Sequence, residues 1–434
     1  MTHPSAAGRG LLANKAYRRV LGAYTFAVFG DWFDMIAIQV LVAYRWGASP
    51  LMLALIPVSL ALPGIAFGSF AGVIADRVDK LKLMRLCDLA TALLTASLLL
   101  APNLYALLPL LALRSAVSSL NVPAQQALTR SLVREDQLLQ ASSLNGLVNQ
   151  SSKIAGPLLG GLTLSVLSPG WCIALNAVLR LLSCLLLFFV KPEAAASGAA
   201  RGAGAPASAG DDGPPPIPAR QMWREGWSFI LRSRLLRNTM LFGLAGTLLI
   251  QIVDFQFASL FLAIAPERDE MLGWLIAAAG AGAVGMIALM NRAGAKLSHG
   301  VRLGGGYAMI GAAIGGLGLL QPGVAALPVL LLGLLLGAGN GMFMVAFSYC
   351  LQKETPPAMT GRVFGIQSMV LGTVMIVAPL LGGLLVGLAG PRLIFAGLGA
   401  LIAVVGVGGL LLAGRLWPAS APVQSPPPVR AAQG

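Results

Sequence analysis

Apolar residues fall along this chain in long unbroken runs separated by short polar breaks. Runs of about 20 residues, each long enough to cross a hydrocarbon layer about 30 Å thick, recur from one end to the other. They predict twelve membrane-spanning helices, at residues 20–43, 50–74, 86–102, 105–127, 142–167, 171–190, 239–263, 271–290, 303–320, 325–350, 364–387 and 393–414. Lipid offers no partner to a bare peptide group, so a spanning segment must be a helix or a strand of a closed barrel. Barrel strands are about 10 residues long and alternate apolar with polar positions. These runs are longer and do not alternate, which selects an all-α membrane protein.

The polar breaks set the domain plan. From 191 to 218 the chain turns to Ala, Gly, Ser and Pro, with Pro214, Pro215 and Pro216 in a row, the composition of a flexible linker. The stretch Arg220 to Arg237 then carries five arginines, with Trp223, Trp227, Ile230 and Leu231 at helical spacing. It predicts an amphipathic helix on the inner membrane face. The expected plan is an N-terminal six-helix bundle over 1–190, a cytoplasmic linker with its amphipathic helix over 191–238, a C-terminal six-helix bundle over 239–416 and a disordered Pro-rich tail over 417–434.

The two bundles read as copies. At an offset of 222 residues, Pro157-Leu158-Leu159-Gly160-Gly161-Leu162 lies over Pro379-Leu380-Leu381-Gly382-Gly383-Leu384. At the same offset Pro169 meets Pro391, Gly72 meets Gly294 and Lys80 meets Arg302. Two six-helix halves related by a parallel repeat are the plan of one large transporter fold.

Composition agrees. Hydrophobic residues make up 57% of the chain and charged residues 11%, against about 25% charged in soluble domains. The net charge of +14 is spread over many short loops, which points to the Lys/Arg excess of cytoplasmic loops and away from nucleic acid. With the N-terminus inside, the predicted cytoplasmic segments hold 24 Lys and Arg, whereas the outer loops hold only Arg45, Arg268 and Arg392. One span more or fewer would invert every later loop and spoil this asymmetry. Arg9, Lys15, Arg18 and Arg19 precede a long apolar run, which reads as an uncleaved first span with both termini of the chain cytoplasmic in a bacterial-type inner membrane. Cys87, Cys172, Cys184 and Cys350 show no metal or disulfide spacing, and no cofactor is expected.

Three stretches resemble the major facilitator superfamily. Gly72-Val-Ile-Ala-Asp76-Arg77-Val-Asp79-Lys80 is similar to the family's loop between helices 2 and 3, with Asp79 where a second glycine usually sits. The resemblance implies that Gly72, Asp76, Arg77 and Lys80 form a charge network that locks one end of the bundle in one conformational state. Gly156-Pro157-x-x-Gly160-Gly161 resembles the helix-5 signature of drug–proton antiporters, with Ser152 in place of an earlier glycine. Its proline bends the helix and its glycines admit a close neighbour, so ordinary small-residue packing reads equally from it. Arg114 matches the family's intramembrane arginine, with Ser118 where a glycine is usual. Phe29-Gly30-Asp31 and Pro123-Ala124-Gln125 are most similar to the branch of enterobactin-type siderophore exporters and macrolide efflux pumps.

Charges inside a bilayer cost at least about 2.5–3.5 kcal/mol each, so those retained there are the candidate chemistry. Asp31, Asp34, Arg114, Lys153, Arg180 and Asp254 lie inside predicted spans. Asp88 is placed at a cytoplasmic edge, within reach of water, and Arg180 is expected to snorkel or pack at the bundle's outside. Asp31, Asp34 and Asp254 are candidate proton sites, because an acid whose neighbours change between two conformations can bind a proton on one side and release it on the other. Arg114 and Lys153 are candidate partners or handles for an anionic cargo, and Trp32 is a candidate cavity wall. A static buried ion pair that fixes helix packing is the competing reading.

These readings lead to a monomeric secondary transporter, coupling protons to efflux of a small drug-like, siderophore-like or natural-product molecule across the lipid bilayer. A lysophospholipid flippase or an importer of an anionic metabolite remains open, as does a receptor or scaffold. An enzyme is disfavoured: His3 and His299 lie outside the spans, and no nucleotide loop or paired catalytic carboxylates with a metal appear.

Overall fold

The computed structural model describes residues 11–191, 219–293, 298–356 and 359–417, apart from the side chains of 68–77, 219–222, 293, 299 and 361. The expected linker and Pro-rich tail lie outside the described residues. The helices are α1 (Lys15–Val40, continuing through a π-helical turn, Leu41–Arg45), α2 (Pro50–Arg77), α3 (Lys80–Leu98), α4 (Leu104–Leu132), α5 (Leu138–Val166), α6 (Pro169–Phe188), α7 (Ala219–Arg232), α8 (Arg234–Asp254), α9 (Phe257–Ile264), α10 (Glu270–Ala293), α11 (His299–Leu319), α12 (Ala326–Glu354), α13 (Thr360–Ala389), α14 (Pro391–Leu411) and α15 (Ala413–Leu416). Among the described residues there is no strand. Among the described residues nine helices are long and apolar enough to cross a membrane. The long helices α3, α5 and α11 fall outside that set and pack among the nine.

Local chemistry sets the boundaries. Asn14 caps α1 by accepting from the amides of Ala16 and Tyr17, and its own amide donates to the Leu132 carbonyl at 2.9 Å, tying α1 to the end of α4. Asp79 caps α3 by accepting from Lys82 N at 2.8 Å. That job accounts for an aspartate where the resemblance leads one to expect glycine. It also starts α3 at Lys80, six residues before the predicted span. Ser233 caps α8, so the amphipathic helix stops at Arg232 and not at Arg237. The single span expected over 239–263 is instead two helices, α8 and α9, broken at Phe255 and Gln256. There the buried Gln256 amide reaches across to the Pro50 carbonyl at 3.0 Å.

The repeat is visible in the elements. Both ends of α4 and α12 stand 222 residues apart, and Pro169 and Pro391 open α6 and α14 as first-turn prolines. Within one half α1 packs on α5 and α6, α2 on α4, and α3 on α4 and α6. In the other, α11 packs on α12 and α14, α10 on α12, and α13 on α8. The halves meet mainly where α5 lies against α10 and α2 against α13.

The molecule has a basic end, holding the start of α1, the α2–α3 and α4–α5 turns and α7, and a far end, holding the α1–α2 and α5–α6 turns. At the far end both halves contribute to one apolar cluster, joining Ile36, Val40 and Leu53 to Phe257, Phe261 and Leu272, and the same cluster continues through the C-terminal half to Leu303, Cys350 and Trp417. Towards the basic end two further clusters belong to the N-terminal half, and a third joins Ile230 of α7 to the C-terminal half.

Candidate functional site

The charged residues of the N-terminal half converge in one buried cluster. Asp31 and Asp34 are three residues apart on α1 and turn to different neighbours. Asp34 is fully buried and pairs with Arg114 of α4, which is 7% exposed and also lies 3.5 Å from Thr95 Oγ1 of α3. Asp31 accepts from Arg180 Nη2 of α6 through both carboxylate oxygens, at 2.7 Å each. Its side chain is 44% exposed, whereas that of Arg180 is 4% exposed. Gly30 admits the neighbouring face of α6, since a Cβ there would sit 2.6 Å from Asn176 Oδ1.

One expectation is narrowed here and another fails. Arg180 does not snorkel: it is buried between two carboxylates, with Nη1 3.4 Å from Asp88 Oδ1. Asp88 is not at a wet edge either. It is 1% exposed and accepts from Asn121 Nδ2 at 2.7 Å and from Ser183 Oγ at 2.5 Å. The Asp79 cap explains the error, because starting α3 at Lys80 carries Asp88 two turns into the bundle. The capping aspartate before a helical run is the sequence signal that could have found this.

Lys153 is exposed on α5 and makes no ion pair with a described residue, so it is not the partner of Asp31 or Asp34. Asp254 is half-buried at the C-terminus of α8 and makes no hydrogen bond or ion pair with a described residue. A carboxylate there faces the negative end of its own helix dipole. The side chains of Gly72, Asp76 and Arg77 lie outside the described residues, and Lys80 is the first residue of α3.

The helix-5 motif divides its work. At Gly156 a Cβ would lie 2.3 Å from Trp32 Cδ1, and at Gly160 one would lie 2.6 Å from the Trp32 carbonyl, so both glycines seat α5 against α1. At Gly161 a Cβ would lie 2.4 Å from Ala277 N of α10, in the other half. Its repeat counterpart Gly383 makes the reciprocal contact, 2.8 Å from Leu51 Cα of α2. Pro157 lies inside α5 and Pro379 inside α13. Gly156→Val is expected to displace the Trp32 indole and lower the melting temperature by an overpacking cost of about 1–3 kcal/mol. Trp32→Ala in the same chain should recover most of it, as read by thermal unfolding in detergent.

A cavity of about 1580 Å³ lies elsewhere, between α7 and the start of α13, lined by Trp223, Arg224, Trp227, Arg232, Met359 and Arg362. It contains none of the buried charges.

Comparison with known proteins bears on the family and the fold. The family model described as Major Facilitator Superfamily matches residues 20–375 and again 268–433. An uncharacterized MFS-type transporter of Bacillus subtilis (strain 168), YfiS, is 30% identical over 395 residues, covering 91% of this chain and 92% of that protein. Among solved structures, a peptide transporter of the POT family in complex with alafosfalin superposes with a TM-score of 0.64 at 15% identity, covering 94% of this chain and 96% of the other. A bacterial homolog of the human lysosomal transporter Spinster, in an inward-facing and unoccupied conformation, superposes with a TM-score of 0.62 at 14% identity, covering 94% and 97%. At such identities these two likenesses speak for the fold alone.

Proposed function

This chain belongs to the major facilitator superfamily, and on that premise we propose that it exports a small drug-like, siderophore-like or natural-product molecule in exchange for protons, by alternating access. It is a multi-pass membrane transporter and not an enzyme. The proposal counts twelve crossings in two six-helix bundles, 1–190 and 239–416, and puts the basic end and both termini in the cytoplasm of a bacterial-type cell, following the positive-inside rule. In that orientation the shared apolar cluster at the far end supports a state sealed to the outside and open inward.

The observation that carries the coupling is Asp31. A carboxylate 44% exposed yet bonded twice to a buried guanidinium is reachable by protons and changes the charge balance of the bundle when it takes one. Asp34, sealed against Arg114, is the static partner in this scheme, and Asp254 is the second candidate acid. The export direction rests on the resemblance of the helix-5 motif, and the exporter branch on Phe29-Gly30-Asp31, Pro123-Ala124-Gln125 and the segment through Gly161. A second reading, uptake of an anionic metabolite or flipping of a lysophospholipid, draws on the exposed ammonium of Lys153 as an anion handle.

Growth of a deletion strain against toxic compounds, with siderophore release measured in parallel, identifies the cargo and its direction. In proteoliposomes loaded with that cargo, Asp31→Asn and Asp254→Asn together should reduce transport driven by a pH gradient at least about tenfold, a loss of about 1.4 kcal/mol in driving the cycle. Wild-type pH dependence in both single variants would place the proton site elsewhere.

A further inference from the structure

We propose that Asp88 is the reserve counter-ion of Arg180, a positioning residue that lets Asp31 give up its charge without stranding a buried guanidinium. The inference rests on the reading of Asp31 as the exchanging acid and goes one step deeper into the same site.

The cluster holds three carboxylates, Asp31, Asp34 and Asp88, against two guanidiniums, Arg114 and Arg180. Asp34 is committed to Arg114, so Arg180 is left with two acids. Asp31 holds it by two short bonds, and Asp88 stands by at 3.4 Å. Asp88 does not need the arginine to be satisfied, since Asn121 and Ser183 already donate to it. Arg180 cannot do without an acid. Its side chain is 4% exposed, and stripping a buried cation of its partner carries a large desolvation cost. If Asp31 were the sole counter-ion, neutralising it would carry that cost. With Asp88 within a small side-chain movement, the guanidinium keeps a partner whichever state Asp31 is in.

The second copy of the fold argues that this cluster is not needed for packing. At the repeat offset Asp88 and Arg180 fall on Ile310 and Ile402, and Thr95 falls on Leu317, all buried in the apolar core of the other half. The same helix pair, α11 with α14, therefore packs with isoleucines where α3 and α6 hold an ion pair. A fold that closes with hydrocarbon at these positions in one half has no structural need for buried charge in the other.

The groups interacting with Asp31 are Arg180 from α6, Arg114 from α4 and Asp34 from its own helix, while Asp88 from α3 meets Arg180 and not Asp31 itself. From α5 the nearest charge in sequence, Lys153, makes no ion pair with a described residue. The test needs no cargo. Infrared difference spectroscopy of the purified protein in liposomes, during a pH titration, reads the carbonyl band of each carboxyl that protonates, and Asp31→Asn identifies the band of Asp31. In Asp88→Asn, Arg180 depends wholly on Asp31, so that band should appear only in a medium more acid by about one unit or more, a shift of about 1.4 kcal/mol. Asp88→Glu should restore the wild-type titration. If Asp88→Asn does not fold, Asp88→Asn with Arg180→Gln removes both charges, and its Asp31 band should appear at higher pH than in the wild type. A folded Asp88→Asn that titrates as the wild type, or a double variant that does, overturns the proposal. A wild-type chain with no titrating band from Asp31 overturns it together with the coupling role of Asp31. A shifted band in a chain whose transport ignores the pH gradient upholds the counter-ion and sinks only the proton-coupled function.

Discussion

Gly161→Leu is expected to abolish transport while leaving each half folded. A Cβ at Gly161 would lie 2.4 Å from Ala277 N and 2.6 Å from the Gly273 carbonyl, both backbone atoms of α10 in the opposite half. Backbone cannot rotate out of the way as a side chain can, so the added leucine must push α5 and α10 apart. Overpacking of this kind costs about 1–3 kcal/mol, and applied to one of two conformations it shifts their ratio by about 5- to 150-fold. The far end should therefore spend its time unsealed. Spin labels placed at Ser168 and Glu267, exposed residues at the far end of the two halves, would report a longer separation than in the unmodified chain. Gly383→Leu, at the reciprocal contact, should act in the same direction. Gly387→Leu, where nothing lies within 4 Å, is the control that should transport normally. A Gly161→Leu chain with unchanged label distances would show that the α5–α10 contact does not govern the seal.

The second large effect concerns Arg114 and Asp34. Either Arg114→Ala or Asp34→Ala leaves one buried charge without its partner, for which a loss of about 3–5 kcal/mol is expected. Removing both, as Asp34→Leu with Arg114→Leu, should recover most of the stability, because hydrocarbon of similar volume replaces a buried ion pair at little or no cost. The other half supports this, since Leu336 stands at the repeat position of Arg114 and packs against the main core. Thermal unfolding in detergent reads the stability of the three chains. Equal losses in the singles and in the double would mean that helix geometry around the pair, and not charge, sets the cost.

Much of the architecture is legible from the order of residues. Runs of about 20 apolar residues allow only helices in lipid, and the shared Pro-Leu-Leu-Gly-Gly-Leu segments reveal a duplicated plan that α4 and α12 reproduce end for end. The boundaries that were misread trace to capping and to long-range contacts. Asp79 and Ser233 begin helices earlier than the apolar runs do. The break after Asp254 coincides with Gln256 reaching Pro50, a residue 206 positions away, and no local window contains that information.

The sequence by itself determined that this protein lives in a membrane as paired helical bundles, because the solvent demand of the peptide group and the length of an apolar run are local properties. It also supplied much of the inventory of buried charge, Asp34, Arg114 and Arg180, but it left out Asp88, which is buried, and counted Lys153, which is exposed. Only the tertiary structure decided which charge meets which. Asp31 turns to Arg180, Asp34 to Arg114, and Lys153 to neither, through contacts between α1, α3, α4 and α6 that span from 19 to 149 residues of chain. Pairing of that kind depends on the rotation of each helix about its axis. Glycines such as Gly30 and Gly156 set that rotation through close packing, and no charge or hydropathy pattern encodes it.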